Sequence, residues 1–170
     1  MNLEELYNKA DDGDVYAMYE IALAFRNGQE VKQNMITAFE WFLKAAELGH
    51  DESQLRVGLS LFNGRTMQKD VEHAVMWFEK CANNGSLRGM VMMGYCYYVG
   101  NGVEKDINKA IDWYTKAAEL GFPQAQNWLG DRYKEGIVVA KDNELAIKWY
   151  TRAAKQGHES AQRQLNKLLD

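Results

Sequence analysis

Glycine recurs along this sequence at a fixed interval of 36 residues, and no other feature limits the possible folds as strongly. A second glycine series and a tryptophan series keep the same interval, and an aromatic residue follows each tryptophan. A fixed period of this length is typical of repeat proteins, in which each repeat buries its apolar face against its neighbours. The three series are Gly13, Gly49, Gly85, Gly121 and Gly157; Gly28, Gly64, Gly100 and Gly136; and Trp41, Trp77, Trp113 and Trp149.

Each repeat contains two stretches with the spacing of an amphipathic helix. The first, which we call helix A, has apolar residues such as Met93 and Tyr97 on one face. It ends at a glycine such as Gly100, because a residue without Cβ can take the left-handed conformation that ends a helix. The second, helix B, carries the tryptophan, the aromatic after it and small residues on one face. It begins after a residue whose side chain can cap the first turn. These N-cap residues are Asn34, Asp70, Asp106 and Asp142.

Four full repeats and two half repeats account for the whole chain. We expect full repeats at residues 14–49, 50–85, 86–121 and 122–157, an N-terminal half-repeat helix at 1–13 and a C-terminal capping helix at 158–170. The sequence therefore predicts a single repeat domain over residues 1–170, an all-α, α/α solenoid of about ten antiparallel helices in 36-residue helix-turn-helix repeats. A start inside a helix B pattern fits either a capping helix or a fragment of a longer scaffold.

Small residues in the middle of helix A indicate a close helix contact. Glycine occupies this position in three repeats, although it costs about 1 kcal/mol relative to alanine in a helix. That cost is explained if helix B presses against helix A there. The last helix has no helix B after it, and its matching position is Asn166. The small residues are Ala22, Gly58, Gly94 and Gly130.

The third repeat resembles the Sel-1-like repeat family, a relative of the tetratricopeptide repeat. Residues 94–106 read GYCYYVGNGVEKD and residues 109–121 read KAIDWYTKAAELG. They are similar to the family patterns LG-xx-Y-xx-G-x-GV-xx-D and KA-xx-W-x-xKAA-xx-G. The resemblance covers the whole chain, with departures at Glu30 and Thr66, where the second loop glycine is missing, and at Ser53 and Gly89, where the family has a small alanine.

The resemblance implies a right-handed superhelix whose A helices line a concave face. It also implies a protein–protein interaction module, an adaptor, scaffold or regulator, that binds a partner protein or peptide on that face. Aromatic and arginine side chains, which dominate protein-binding hot spots, occur at the groove positions of the first three repeats, and the fourth repeat is polar there. The alternative for the aromatics is packing between successive A helices. The partner-binding residues implied in this way are Tyr16, Tyr19, Leu23, Arg26, Leu55, Leu59, Phe62, Arg88, Val91, Tyr95, Tyr98, Asn127 and Asp131.

The tryptophans, cysteines and histidines, which could take part in ligand binding or catalysis in other proteins, are interpreted here as structural residues. The tryptophan–aromatic pairs are interpreted as core, so truncating Trp113 would cost about 3–5 kcal/mol. Cys81 stands where other repeats have alanine, and helix rise places its sulfur about 10 Å from that of Cys96, too far for a disulfide. His50 and His158 occupy equivalent helix-start positions.

No set of residues has the arrangement of a catalytic or metal site. The histidines have no Cys, Asp or Glu at ligand spacing, and the glycines lack the order of a phosphate-binding loop. We therefore expect no enzyme activity, no cofactor and no metal. Two alternatives remain: a bacterial toxin-neutralising immunity or inhibitor protein, and a hydrolase related to cysteine-rich β-lactam-binding relatives. Those relatives carry cysteine pairs in each repeat, whereas this chain has two cysteines in all.

Composition limits the class of partner that this protein is expected to bind. The formal net charge is −4 with both signs interspersed, which gives no basic footprint for nucleic acid. No apolar run approaches the roughly 20 residues of a membrane helix. The N-terminus lacks the pattern of a signal peptide, so we expect a cytoplasmic protein, although an export signal removed earlier would leave no trace. The expected partner is a protein or peptide, and the expected state is a monomer.

Overall fold

The computed structural model describes residues 2–169, and these residues form ten α-helices and no strands. The starts of successive A helices are 36 residues apart, as are those of the B helices from α3 onward. The predicted all-α fold of helical repeats is confirmed. The even-numbered helices are A helices and the odd-numbered ones are B helices. The helices are α1 (Leu3–Asp11), α2 (Val15–Asn27), α3 (Met35–Glu47), α4 (Asp51–Asn63), α5 (Val71–Asn83), α6 (Leu87–Val99), α7 (Ile107–Glu119), α8 (Pro123–Glu135), α9 (Asn143–Ala154) and α10 (Glu159–Leu169).

The helices group into two compact units, one ending at Gly89 and the other beginning at Met90. Within the first unit the consecutive pairs α1–α2, α2–α3, α3–α4 and α4–α5 pack together, and within the second the pairs α7–α8, α8–α9 and α9–α10 do the same. Each unit therefore buries apolar surface between neighbouring helices, as expected for a repeat protein.

The helix ends are where the sequence predicts them. All four predicted N-cap side chains accept a backbone N–H of the first turn of their B helix; the Asp70 carboxylate, for example, accepts the N–H of His73 at 3.1 Å. This hydrogen bond, together with one to the His73 side chain, lowers the pKa of Asp70. Helices α2, α4 and α8 end at glycines with φ near +70°, where a side chain would be strained.

The aromatic residue after each tryptophan of the 36-residue series fills the interior of its repeat. Phe78 and Tyr150 have no exposed surface, and Phe42 and Tyr114 are buried. The tryptophans only partly meet the expectation that they form the core. Trp149 is buried, but Trp113 lies partly exposed. The Lys116 ammonium covers its ring 4.6 Å from the centroid, and Trp41, Trp77 and Trp149 are covered by Lys or Arg in the same way.

The mid-helix glycines make room for these aromatic rings. A Cβ at Gly58 would lie 2.5 Å from the Phe78 ring, and one at Gly94 would lie 2.7 Å from the Tyr114 ring. At Gly130 the corresponding distance to the Tyr150 ring is 2.6 Å. Since carbon atoms cannot approach this closely, the predicted close contact between helices A and B is confirmed, and a single ring makes it.

Both cysteines are buried free thiols. The burial of Cys81 is as the sequence predicts. Burial raises the pKa of Cys81, and it raises the pKa of Cys96 to about 11. The Cys81 thiol donates a hydrogen bond to the carbonyl oxygen of Asp51 at 3.2 Å. The thiols therefore act as small core side chains of low reactivity.

Replacing Gly94 by alanine is expected to destabilise the protein by about 1–3 kcal/mol, because the new methyl group overpacks the Tyr114 ring. The loss should appear as a lower midpoint of urea unfolding followed by circular dichroism. Ala22→Gly is the comparison variant at the equivalent position, and it should cost about 2 kcal/mol, because it loses helix propensity and one buried methyl group without overpacking a ring. A Gly94→Ala variant as stable as the wild type would show that the ring contact is not tight.

Tyr114→Ala is expected to cost about 3–5 kcal/mol, and Trp113→Ala clearly less. The reason is that the tyrosine ring is buried, whereas the indole is partly exposed under a lysine side chain. Urea unfolding of the two variants measures the difference. A larger loss for Trp113→Ala would reverse the assignment of the core residue.

Candidate functional site

Most of the residues implied to bind a partner lie on one side of each A helix. They stand three or four residues apart along the helix, and this spacing aligns their side chains. In α2 the other side is formed by residues such as Ile21 and Ala22, which are completely buried. We call the aligned rows the A stripes. The four stripes are Tyr16, Tyr19, Leu23 and Arg26 on α2; Glu52, Leu55, Leu59 and Phe62 on α4; Val91, Tyr95 and Tyr98 on α6; and Gln124, Asn127, Asp131 and Lys134 on α8.

In the first unit, two tyrosines of α2 meet the start of α4 at His50. The ring centroid of Tyr16 lies 5.1 Å from that of His50, and the centroid of Tyr19 lies 4.8 Å away. The His50 Nδ1 accepts the backbone N–H of Ser53 at 3.3 Å, with the Ser53 hydroxyl 2.8 Å away. His50 is therefore a helix-start residue, as predicted. Burial lowers its pKa, and the nearby charges of Asp51 and Glu52 oppose that shift.

Tyr19 also belongs to the packing between successive A helices. Its ring lies 5.6 Å from that of Phe42, and the Arg56 guanidinium on α4 lies 5.6 Å from its centroid. The same guanidinium lies 5.4 Å from the Phe42 ring and forms an ion pair with Glu52 at 2.9 Å. The packing alternative therefore applies to Tyr19. Periodicity gives no sign of this role for Arg56, because the equivalent positions in the other repeats carry unrelated residues.

The prediction that Leu55 contributes to the binding surface is wrong. Its side chain is only 1% exposed. The reason is that α4 packs against α3 and also against α5, so an aliphatic side chain on this part of the helix is enclosed. Phe62 on the same stripe is half-buried, and its ring lies 5.9 Å from that of Phe78.

A cleft in the first unit contains two of the implied residues, Arg26 and Leu59. It lies between α2, α3, α4 and the turn after α4, and its volume is about 300 Å³. We call it the arginine cleft. Its walls combine apolar side chains with three guanidinium groups and three uncharged polar side chains. The lining residues are Met35, Ala38, Phe39, Phe42 and Leu59; Arg26, Arg56 and Arg65; and Ser60, Asn63 and Thr66.

Arg88 is exposed and forms an ion pair across successive A helices. Its Nη1 lies 3.3 Å from a carboxylate oxygen of Glu52. Because Glu52 also binds Arg56, one carboxylate serves two guanidinium groups. This arrangement leaves the charge of Arg88 only partly compensated and accessible at the surface.

In the second unit, the A stripe of α6 carries two tyrosines, Tyr95 and Tyr98, which differ in exposure. Tyr95 is 41% exposed, and Val91 is half-buried. The Tyr98 hydroxyl accepts a hydrogen bond from Arg132 Nη1 at 3.0 Å, and its ring meets that of Trp128 edge-on at 5.6 Å. Tyr98 therefore takes part in packing between successive A helices. Trp128 itself stacks on Tyr114 in the core, with centroids 3.9 Å apart.

The polar residues of α8 that the resemblance implies as partner contacts form hydrogen bonds within the second unit. The Tyr150 hydroxyl donates a 2.7 Å hydrogen bond to Asp131, and the side-chain amide of Asn127 donates to the other oxygen of that carboxylate at 3.2 Å. Burial first, and then this hydrogen bond, raise the pKa of Tyr150. Asp131 therefore holds the hydroxyl of a core aromatic, a role that periodicity does not reveal.

Within residues 2–169 no group of three or more His, Cys, Asp or Glu side chains could hold a metal ion. In the same part of the chain no helix combines the length and the apolar character that crossing a bilayer requires.

Lowering the pH from 7.5 to 5 is expected to destabilise the wild type more than a His50→Asn variant. The folded protein resists protonating His50, whereas the unfolded chain takes up a proton near its ordinary pKa of 6.5, so stability falls as the pH drops through that value. Asparagine can still cap α4 but does not titrate. Thermal melting at several pH values measures the effect, and parallel profiles for the two proteins would contradict it.

Four copies of the Sel1 repeat match this chain, at residues 15–50, 51–86, 87–122 and 123–158. Each copy begins at the first residue of an A helix. No curated protein is significantly similar to this chain in sequence.

Several solved structures share the fold. A protective antigen present in uropathogenic Escherichia coli strains, displaying an SLR fold, is 34% identical with a TM-score of 0.93. The match covers 99% of this chain and 36% of the antigen, so this chain spans about a third of its length. A Sel1 repeat protein from Oxalobacter formigenes is 30% identical, with a TM-score of 0.89 over 99% of this chain and 67% of that protein. An immunity protein from Pseudomonas aeruginosa is 26% identical, with a TM-score of 0.58 over 86% of this chain and 54% of that protein.

The repeats matched by the family span most of the sequence, and their boundaries coincide with those of the helical pairs. The contacts between aromatic rings and mid-helix glycines, together with the helix caps, explain why the family pattern has glycine, aromatic and capping residues at these positions. This chain belongs to the Sel1 repeat family.

Proposed function

We propose that this protein binds a partner protein or peptide through its A stripes and performs no catalysis itself. The observation that carries this proposal is the exposure of tyrosine rings on A helices in both units. Tyr16 is 70% exposed and Tyr95 is 41% exposed. Tyrosine is enriched at binding hot spots, because it offers a large contact area and a hydroxyl at a low cost in conformational entropy.

The surroundings of these rings support a binding role. Tyr16 stands next to Tyr19, which is held by Phe42, His50 and Arg56. Tyr95 lies on the same helix face as Tyr98, which Arg132 and Trp128 hold in place. In both units an exposed ring therefore stands beside an immobilised one. A surface whose neighbours are already ordered loses little entropy when a partner binds.

A narrower form of this proposal is that the partner is a toxin that the protein neutralises. Its support is the likeness to the immunity protein from Pseudomonas aeruginosa, at 26% identity. This form predicts one tight complex with a single protein, whereas a general adaptor would tolerate several related peptide segments.

A peptide library displayed on phage and selected against the protein tests the general proposal. Selected peptides are expected to bind a Tyr16→Ala, Tyr95→Ala variant about tenfold more weakly than the wild type, as hot-spot truncation predicts. Fluorescence anisotropy with the synthesised peptides measures the affinities, and circular dichroism verifies folding.

Met76→Ala is the matched control, because Met76 is 55% exposed on the B helix α5. It should leave peptide affinity unchanged. Selection of no peptide, or equal binding to the wild type and the tyrosine variant, would contradict the proposal.

A further inference from the structure

We infer that the arginine cleft binds an acidic segment of the partner protein, taking an Asp or Glu carboxylate among its guanidinium groups and a neighbouring bulky apolar side chain against its apolar wall. This inference rests on the proposed binding function and adds the chemistry of the partner at one site. It follows from the charge of the cleft, its buried donors, its apolar wall and its occurrence at one place in the repeat array.

The cleft is a positive site on a negative protein. Arg26, Arg56 and Arg65 line it, and no carboxylate does, although the formal net charge of the chain is −4. A concave site lined by one sign of charge concentrates ligands of the opposite sign. Charge complementarity therefore favours an acidic segment.

The carboxylates of the protein itself neutralise little of the positive charge of the cleft arginines. Arg56 binds Glu52, but Glu52 is shared with Arg88. The Nε of Arg26 donates only to the neutral side chain of Asn27, at 3.1 Å. Within residues 2–169 no ion pair joins Arg26 or Arg65 to a carboxylate. A second carboxylate would therefore find unused guanidinium donors, which can bind it in a bidentate manner.

Two donors at the cleft are buried and unpaired. The Nε of Arg56 and the hydroxyl of Ser60 have no hydrogen-bond partner among the described residues. These residues lie four apart on α4 and thus on the same helix face, and both line the cleft. A buried polar group without a partner is costly, so a side-chain shift that lets a ligand oxygen accept from either donor would be favourable.

The remaining wall is apolar and adaptable. Phe39 and Phe42 are buried side chains that form part of it, and Leu59 is half-buried. Met35 is 44% exposed, and a methionine side chain adapts its shape to different ligands. The volume of about 300 Å³ is at the lower end for ligand pockets and suits one bulky side chain beside a carboxylate. Free inorganic phosphate would leave this wall uncovered.

The same combination occurs at no other place in the repeats. The residues 36 positions away from Arg56 are Glu20 and Met92, and those 36 positions away from Ser60 are Ala24 and Cys96. Arg65 is replaced by Gln29, Asn101 and Ile137 in the other full repeats. Arg56 also packs between repeats, against Tyr19 and Phe42, so the part of the cleft that is specific to this repeat is its combination of three arginines with Ser60.

The test uses the full chain and two synthetic peptides with blocked ends, acetyl-Gly-Ser-Leu-Asp-Leu-Ser-Gly-amide and the same peptide with Asn in place of Asp. Binding is followed by ¹⁵N–¹H NMR, which reads both backbone amides and arginine Nε–Hε groups. The Asp peptide is expected to shift the Arg56 Nε–Hε signal and the amides of residues 56–66. The Asn peptide should bind about tenfold more weakly, because it cannot form charge-assisted hydrogen bonds.

Arg65→Gln and Ser60→Ala are each expected to weaken binding of the Asp peptide by about tenfold or less, in proportion to the hydrogen bonds removed. Arg163→Gln is the control: it removes the same charge from an exposed position on α10 and should have no effect. Arg65 is exposed, so its substitution should leave folding intact, as circular dichroism would verify.

Equal binding of the two peptides, shifts that map away from the cleft, or full affinity in Arg65→Gln would each overturn the inference. So would inorganic phosphate that displaces the Asp peptide completely and binds more tightly. Failure of this test is separable from failure of the proposed function. Phage-selected peptides whose binding depends on Tyr16 and Tyr95 but not on Arg65 would support the proposed partner binding. They would exclude the binding of an acidic segment in the arginine cleft.

Discussion

Each full repeat depends on one aromatic ring of helix B lying against a small residue of helix A. Where the small residue is glycine, the ring occupies the space in which a Cβ would stand, as the Phe78 ring does at Gly58. This contact brings the two helices close enough to exclude water and determines which side of helix A remains at the surface. Stripe residues such as Tyr16 and Tyr95 reach the surface because the opposite side of each A helix is committed to this contact.

The aromatic residue after the mid-repeat tryptophan therefore forms the core of each repeat, and the tryptophan lies at the edge of that core. The indole of Trp113 lies partly exposed under Lys116, and Tyr114 beside it is buried. The lysine stem shields the apolar ring while the ammonium stays in water, which is how long charged side chains commonly complete a core at its edge. Repetition of this arrangement leaves the A stripes free to vary in sequence without loss of the fold.

Variation along the stripes gives the two units different surfaces on one scaffold. Tyr19 and Tyr98 are both fastened by an arginine from the following repeat, but Arg56 and Arg132 come from different positions of α4 and α8. In the first unit Arg56 also lines the arginine cleft, whereas in the second unit Trp128 occupies the equivalent position and stacks on Tyr114. The same repeat position therefore contributes a guanidinium to a cleft in the first unit and a stacked indole to the packing in the second.

The sequence by itself determined the repeat length, the ten helices, their caps and the close contacts at Gly58, Gly94 and Gly130. These features are local or recur at a fixed spacing, so one chain displays them several times. Only the tertiary structure decided that Leu55 is enclosed, that Asp131 holds the Tyr150 hydroxyl, and that three arginines meet in one cleft. The physical reason is that each of these arrangements depends on how far individual side chains reach between neighbouring helices. Periodicity aligns helix faces, but it carries no information about contacts that occur only once.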